Sequence, residues 1–343
     1  MSVSRDNLGD PRRFGKVAVL MGGWSAEREI SLRSGAAVTD ALRAVGVDAH
    51  GVDVGADILA VLDRGRYDRA VIMLHGRGGE DGVIQGALEV LGLPYTGSGV
   101  LGSALAMDKS RTKRLWQAHA LPTPAFVELD AEGDLAGQVG VLTLPVVVKP
   151  VHEGSSLGMT QVTETGQLQA AWQAARVYHD MVIAEQWIDG DEYTAAVIGR
   201  EVLPLIRIET PRRFYDFTAK YDAGDTLYHC PCGLDEPTEK RLQAMALKAF
   251  DVLGCSGWGR VDFMCDRSGD AWLLEVNTVP GMTDHSLVPK AARQAGIGFN
   301  ELAGRILETS LGEDRRQRGG APQDPTGGVP DSARGGARNR MRG

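Results

Sequence analysis

Lys16-Val17-Ala18-Val19-Leu20-Met21-Gly22-Gly23-Trp24-Ser25 is the stretch whose reading sets the architecture. Residues 16–21 read as a buried strand, the glycine pair as a turn, and a helix begins near Ser25. Strands at 49–54 and 69–74 repeat the arrangement, each followed by a helical stretch. Such alternation implies a parallel sheet with right-handed crossovers, so an α/β domain reaches to about residue 108. A helix over 107–119 then leads through Leu121-Pro122-Thr123-Pro124 into strands at 145–149 and 181–187, with a helix over 166–178 between them. The remainder, to about 311, is α+β in character. It holds strands within 191–208 and 258–275 and helices near 236–253, 287–295 and 299–310. Residues 210–233 are polar and aromatic without clear periodicity, and a loop of that length in a compact domain reads as a lid.

Composition narrows the function classes. A chain of 343 residues suits two or three domains rather than one core. Hydrophobic residues at 43% and charged residues at 24% are the balance of a soluble globular protein. No apolar run approaches the ~18–20 residues of a membrane span, and the one at 17–21 is too short for a secretion signal. The expectation is a cytoplasmic protein without a membrane partner. Cys230, Cys232, Cys255 and Cys265 lack the spacing of a disulfide framework or a zinc site. A formal net charge of −8 argues against a nucleic-acid partner. The end of the chain differs: residues 315–343 carry seven arginines against two aspartates, with abundant Gly and Pro. The tail at 312–343 is therefore expected to be disordered. Gly97-Ser98-Gly99-Val100-Leu101-Gly102 matches a dinucleotide-binding pattern but lies late in its domain, with no acidic residue about twenty positions on, and reads as a turn and helix start.

Four segments carry chemistry. Gly259-Arg260-Val261-Asp262 and Trp272-Leu273-Leu274-Glu275-Val276-Asn277 read as two strands. Alternation places Arg260 with Asp262 and Glu275 with Asn277 on one face, and a hairpin would bring all four together over an apolar face of Val261, Leu274 and Val276. Oxygen donors of this kind suit magnesium shared with phosphates. The following loop, 278–283, offers backbone N–H groups to a reacting centre. In the second segment Lys149 ends an apolar strand, where a phosphate would need a point charge, and the Gly154–Gly158 amides could close over phosphate oxygens. In the third, Glu185 to Ile188 and Gly190 to Glu192 could hold a purine edge and ribose hydroxyls; a strand edge with a turn accounts for them equally well. The fourth comprises 22–27 and 74–82, at the C-terminal ends of parallel strands, where open sheets place ligands. There Glu27 equally reads as a helix-dipole partner and His75 as a structural histidine.

Together the segments GGWSAEREISL (22–32), LHGRGGEDG (74–82), TGSGVLGSALAMDK (96–109), KPVHEGSSLGM (149–159), FYDFTAKY (214–221), GWGRVDF (257–263) and EVNTVPGMTDHSLVP (275–289) resemble the D-alanine–D-alanine ligase family of the ATP-grasp superfamily, over roughly residues 16–310. The resemblance implies a Rossmann-like N-terminal domain (1–108) and two ATP-gripping domains (109–192 and 193–311, the latter with lid 210–233). It implies an enzyme that uses ATP and two Mg²⁺ (or Mn²⁺) ions to join two D-alanines through a D-alanyl phosphate, for peptidoglycan precursors, as a homodimer. Lys109 and Lys149 look like the phosphate lysines; Glu185, Trp187, Ile188 and Glu192 like the adenine and ribose contacts; Asp262, Glu275 and Asn277 like the metal ligands. Glu27 is similar to the residue that holds the first D-alanine's ammonium, with His75 near its carboxylate. Ser155 and Tyr221 match partners linking Glu27 to the lid, while Arg260, the Gly281 amide, Ser286 and Leu287 match the second D-alanine site and oxyanion contacts. Trp24 stands where relatives carry a small or polar residue, and the tail lies outside the resemblance. The nearest alternative is a sibling ligase making D-alanyl-D-lactate, against which Lys220-Tyr221 speaks. A non-catalytic ATP-binding relative would have no need of Arg260, Asp262, Glu275 and Asn277 together.

Overall fold

The computed structural model describes residues 9–130, 133–154, 156–210 and 226–311. Among them three sheets form. The first is parallel, in the order β2-β1-β3: β1 is Lys16–Gly22, β2 Asp48–Val54 and β3 Arg69–Ile72. Val17 to Leu20 are wholly buried, as expected of a strand covered on both faces. The helix after β1 starts at Arg28 rather than near Ser25. Ser25 is held in the turn, donating its hydroxyl to the His75 carbonyl (2.7 Å) and accepting the Glu27 N–H (3.2 Å). Gly22 carries a φ of 81°, and a Cβ there would fall 2.1 Å from Asp53 Oδ1, so only glycine fits the turn.

The expected helix at 107–119 forms as Lys109–Ala118, and the helix start expected at 97–102 gives a separate helix, Val100–Met107. Asp108 separates them: it is extended, and its carboxylate accepts the Arg111 N–H at 2.8 Å as an N-cap. The second sheet is antiparallel, in the order β4-β7-β5-β6, with β4 Phe126–Leu129, β5 Val146–Pro150, β6 Thr160–Val162 and β7 Val182–Gln186. Helix Leu168–Arg176 packs its apolar side against this sheet.

The third sheet runs β11-β10-β8-β12-β13, with β9 beside β8. Here β8 is Gly190–Ile198, β9 Glu201–Val202, β10 Ile206–Glu209, β11 Leu227–His229, β12 Trp258–Asp266 and β13 Ala271–Asn277. Helix Glu236–Val252, capped by Asp235 through the Thr238 N–H (3.1 Å), covers one face. The β12–β13 hairpin forms as expected, pairing Arg260 with Asn277 and Asp262 with Glu275. A bulge then follows between Asp262 and Phe263. It corrects one expectation: Leu274 leaves the apolar face of Val261 and Val276 and turns into the cleft beside Glu275, because the extra residue breaks the two-residue alternation.

Helices Leu287–Gln294 and Phe299–Glu308 return to the first sheet. Leu302, Ile306 and Leu307 share one core with Val17, Leu20, Leu42 and Ile72. Arg69, 7% exposed, donates to the Phe14 carbonyl (2.8 Å) and to Ser310 Oγ (3.0 Å), fastening both ends of that core. No helix among the described residues is long and apolar enough to cross a membrane.

Candidate active site

A cleft of about 410 Å³ opens between the second and third sheets. Its lining includes Lys109, Lys149, Glu153, Ser156 and Leu157 together with Trp187, Ile188 and Glu192. Val147, Met159, Ile208, Met264 and Leu274 give the cleft an apolar lining. Met264 was legible in principle, since it shares a strand face with Arg260 and Asp262; Leu274 was not, because only the bulge brings it in.

Lys109 and Lys149 are both nearly buried, which a lone ammonium does not tolerate. Lys109 Nζ donates to the Glu153 carbonyl (2.6 Å) and lies 3.1 Å from Glu275 Oε2. Lys149 Nζ donates to Glu185 Oε1. The other Glu185 oxygen lies 2.8 Å from Nζ of Lys113, a lysine with no solvent exposure that sequence reasoning missed. Lys113 also donates a hydrogen bond to Thr123 Oγ1 (2.7 Å). Burial opposes the charge on Glu185, yet Lys113 and Lys149 outweigh it and hold the carboxyl down to about 2. Burial also pushes the Lys113 ammonium down to about 8 against the pull of Glu185. Glu185 thus lines the cleft with its carboxylate already shared between two lysines.

Asp262, 5% exposed, accepts from Arg260 Nε (2.8 Å) and Nη2 (2.7 Å), Asn277 Nδ2 (3.0 Å) and Thr194 Oγ1 (2.5 Å). Glu275 carries Lys109 as its cation. Asn277 commits its NH₂ to Asp262 and leaves the amide oxygen as its donor atom toward a cation. Two carboxylates and an amide oxygen across one hairpin, each carboxylate already balanced by a cationic side chain, form a donor set that fits a hard divalent ion.

Beyond this hairpin lies a small pocket of about 70 Å³, lined by Glu27, His75, Glu80, Gly154, Arg260, Asn277, Gly281, Ser286 and Leu287, among others. A narrow space of about 30 Å³ lies between it and the cleft, sharing Glu80, Gly154 and Asn277 with the pocket and Lys109, Glu153 and Glu275 with the cleft. Burial pushes the His75 pKa down, so the ring is neutral at pH 7. Its Nδ1 donates a hydrogen bond to the Val279 carbonyl (2.8 Å), and Nε2 faces Ser34 Oγ at 3.4 Å. Ser34 Oγ accepts the Met282 N–H (3.1 Å), so the chain shapes both ends of the 279–282 turn. Glu80, also missed, accepts the Gly76 N–H (2.7 Å) and the Val279 N–H (3.1 Å). Burial and then the Glu27 charge raise its carboxyl to about 7. At Gly281 a Cβ would come within 2.9 Å of Ser286 Oγ, which accepts the Thr283 N–H at 2.9 Å. Trp24 lies over Gly78, half exposed at the rim.

Ser155 and Tyr221 lie outside the described residues, as do 211–225 of the expected lid and the tail 312–343; the last part of the 210–233 segment contributes β11. All the other expected site residues converge on the cleft and the pocket. The four cysteines are free thiols, and burial pushes Cys255 up to about 12.

A parallel domain followed by two antiparallel sheets that grip a lysine-floored cleft is the ATP-grasp architecture. The D-ala D-ala ligase C-terminus model matches residues 115–308, and the corresponding N-terminus model matches residues 56–98. A D-alanine–D-alanine ligase of Alkalilimnicola ehrlichii is 60% identical over 309 residues, covering 90% of this chain and 97% of the relative. The D-alanine–D-alanine ligase of Bacillus anthracis superposes with a TM-score of 0.80 at 34% identity, covering 89% of this chain and 99% of that one. A structure of the Bacillus anthracis enzyme complexed with ATP gives 0.78 at 31% identity, with the same coverage. The chain belongs to the D-alanine–D-alanine ligase family.

Proposed function

We propose that this chain joins two D-alanine molecules into D-alanyl-D-alanine, converting ATP to ADP and phosphate, for peptidoglycan precursor synthesis. The observation that supports the reading is that the cleft and the small pocket adjoin one narrow space lined by Lys109, Glu275 and Asn277. It would bring a γ-phosphoryl group and an amino-acid carboxylate to neighbouring positions on one face of the hairpin.

A carboxylate does not condense with an amine unaided, because oxide is a poor leaving group. The first D-alanine sits with its ammonium toward Glu27 and its carboxylate toward neutral His75. A carboxylate oxygen attacks the γ-phosphorus, the bond to ADP breaks, and D-alanyl phosphate forms. Lys109 and Lys149 balance the phosphate charge during this step, and Arg260 balances charge on the reacting carboxyl. Asp262, Glu275 and the Asn277 oxygen would hold two magnesium or manganese ions, which supply charge neutralisation along the phosphates when bound. The second D-alanine, seated by Ser286 and Leu287, attacks the acyl carbon as a free amine, and the proton it sheds passes into the Glu27–Ser155–Tyr221 network that the resemblance implies. Arg260 and the Gly281 N–H take the developing oxyanion, and the carbon–oxygen bond to phosphate breaks as the amide forms. Glu185, Trp187, Ile188 and Glu192 seat the adenine and ribose.

The working divisions are a Rossmann-like domain (1–108), a central ATP-gripping domain (109–192) and a C-terminal one (193–311). A cytoplasmic location and a homodimer belong to the same proposal and rest on the family. The test is phosphate release by the purified chain with ATP and Mg²⁺, given D-alanine, L-alanine, or D-alanine with D-lactate. Release that requires D-alanine, with dipeptide found by mass spectrometry, is the expected result. A depsipeptide product moves the reading to the sibling ligase, and no turnover with any of these overturns it.

A further inference from the structure

A chain of titratable side chains lies outside the machinery just described. Asp108, His152 and His179 come from three separate segments: the break between two helices, the start of the 149–159 loop, and the turn before β7. The Met181 N–H donates to His179 Nδ1 at 3.0 Å, which leaves the ring proton of neutral His179 on Nε2. That nitrogen lies 2.8 Å from His152 Nδ1, and His152 Nε2 lies 2.9 Å from Asp108 Oδ2. Every donor therefore meets an acceptor, and the direction of the chain is fixed at both ends: a backbone N–H at one, a carboxylate at the other. The two rings meet edge to face at 4.2 Å.

The surroundings show what this chain holds. Residue by residue, the loop beside His152 is stitched to the same two segments. The Lys109 N–H donates to the Val151 carbonyl (3.2 Å), Lys109 Nζ to the Glu153 carbonyl (2.6 Å), and the Val151 N–H to the Met181 carbonyl (3.0 Å). The far end of the loop comes back to the same place. Gly158 has a φ of 71°, and a Cβ on it would meet Tyr178 at 2.8 Å and the Ala175 backbone at 3.2 Å. Both ends of the loop are thus pinned to residues 175–181, one by side-chain hydrogen bonds and the other by close packing. Asp108, the terminal acceptor, also caps the helix that begins with Lys109.

We propose that His152, backed by His179 and anchored on Asp108, is the positioning residue of the phosphate loop, setting Lys109 and the Glu153 and Gly154 amides at one fixed spacing for the nucleotide's phosphates. The inference rests on the reading of Lys109 and this loop as the phosphate site. It assigns His152 no contact with substrate.

Three variants of the full chain test it, with ADP and adenosine binding measured by calorimetry in the presence of magnesium. Loss of one charge-assisted hydrogen bond is worth about 10-fold in affinity. His152→Ala is expected to weaken ADP roughly 10-fold while adenosine stays within about 2-fold, and to raise the KM for ATP more than it lowers kcat. His152→Gln should recover most of the ADP affinity, because an amide carries an acceptor and a donor side by side, as the imidazole does. Lys109→Ala is the control for the underlying reading. If Lys109→Ala weakens ADP and His152→Ala does not, the positioning role is overturned while the phosphate site stands. If neither variant separates ADP from adenosine, both readings fall. Equal losses of ADP and adenosine in His152→Ala, without rescue by His152→Gln, would mean a general packing role and also overturn the proposal.

Discussion

Replacing Glu185 by Gln removes one carboxylate from between two lysines, and the structure gives the size of the effect. The carboxyl is held from 4.5 down to about 2, which at ~1.4 kcal/mol per pH unit contributes about 3 kcal/mol. That contribution is fully present above the unfolded value of 4.5 and is lost as pH falls toward 2. Lys113 works in the opposite direction. Its ammonium is pushed from 10.5 to about 8, so folding is penalised below pH 8 by a similar amount, and the penalty is relieved as pH rises to 10.5. The intact pair is therefore close to neutral for stability, as buried ion pairs generally are. Taking away only the carboxylate strands Lys113 and Lys149, and such a loss costs roughly 3–5 kcal/mol, on the order of 10 °C in melting temperature. Urea unfolding of parent and Glu185→Gln at pH 7 and pH 10 measures it. The deficit should be large at pH 7 and shrink at pH 10, where the stranded Lys113 sheds its proton. A deficit below about 1 kcal/mol at pH 7, or one of equal size at both pH values, would refute the reasoning.

Arg260→Lys keeps a positive charge but loses the two-pronged grip on Asp262, and should lower kcat by roughly 10²–10³ while circular dichroism stays that of the parent; near-parental turnover would remove Arg260 from the reaction. Gly281→Ala puts a methyl 2.9 Å from Ser286 Oγ and should raise the KM for the second D-alanine several-fold with ATP affinity unchanged, as steady-state kinetics would show. Glu80, raised from 4.5 to about 7, is ionised in the unfolded chain before it is ionised in the folded one. Stability of the ligand-free protein should therefore fall by about 3 kcal/mol as pH rises from 4.5 through 7, and Glu80→Gln should flatten that slope in a series of denaturant melts.

The parts of this molecule that were legible in its sequence are those governed by short-range periodicity. Residues 17–20 could only be a buried strand, and the two-residue alternation of 260, 262, 275 and 277 was enough to foresee the shared face that the hairpin forms. Leu274 went astray because a bulge is one residue of irregularity with no signature of its own. The short strands β4, β6, β9 and β11 are defined by partners rather than by pattern. Lys113 and Glu80 were missed for a different reason. A lysine in a helix reads as solvated, and an acid in a Gly-rich loop as a turn residue, until the fold brings Glu185 to the first and the Val279 N–H to the second. Asp108 was hidden inside an apparently continuous helical pattern, although an Asp followed three residues on by an N–H to be capped is a legitimate helix start.

The core shared by the first sheet and the last two helices carries a consequence for synthesis. Translation at about 5–20 residues per second delivers Val17 and Leu20 to the tunnel exit many seconds before Leu302 and Ile306. During that interval the parallel sheet lacks part of its apolar cover. The domain that begins the chain is therefore completed last, and a ribosome that stalls within the final helices leaves exposed the surface on which a chaperone would act.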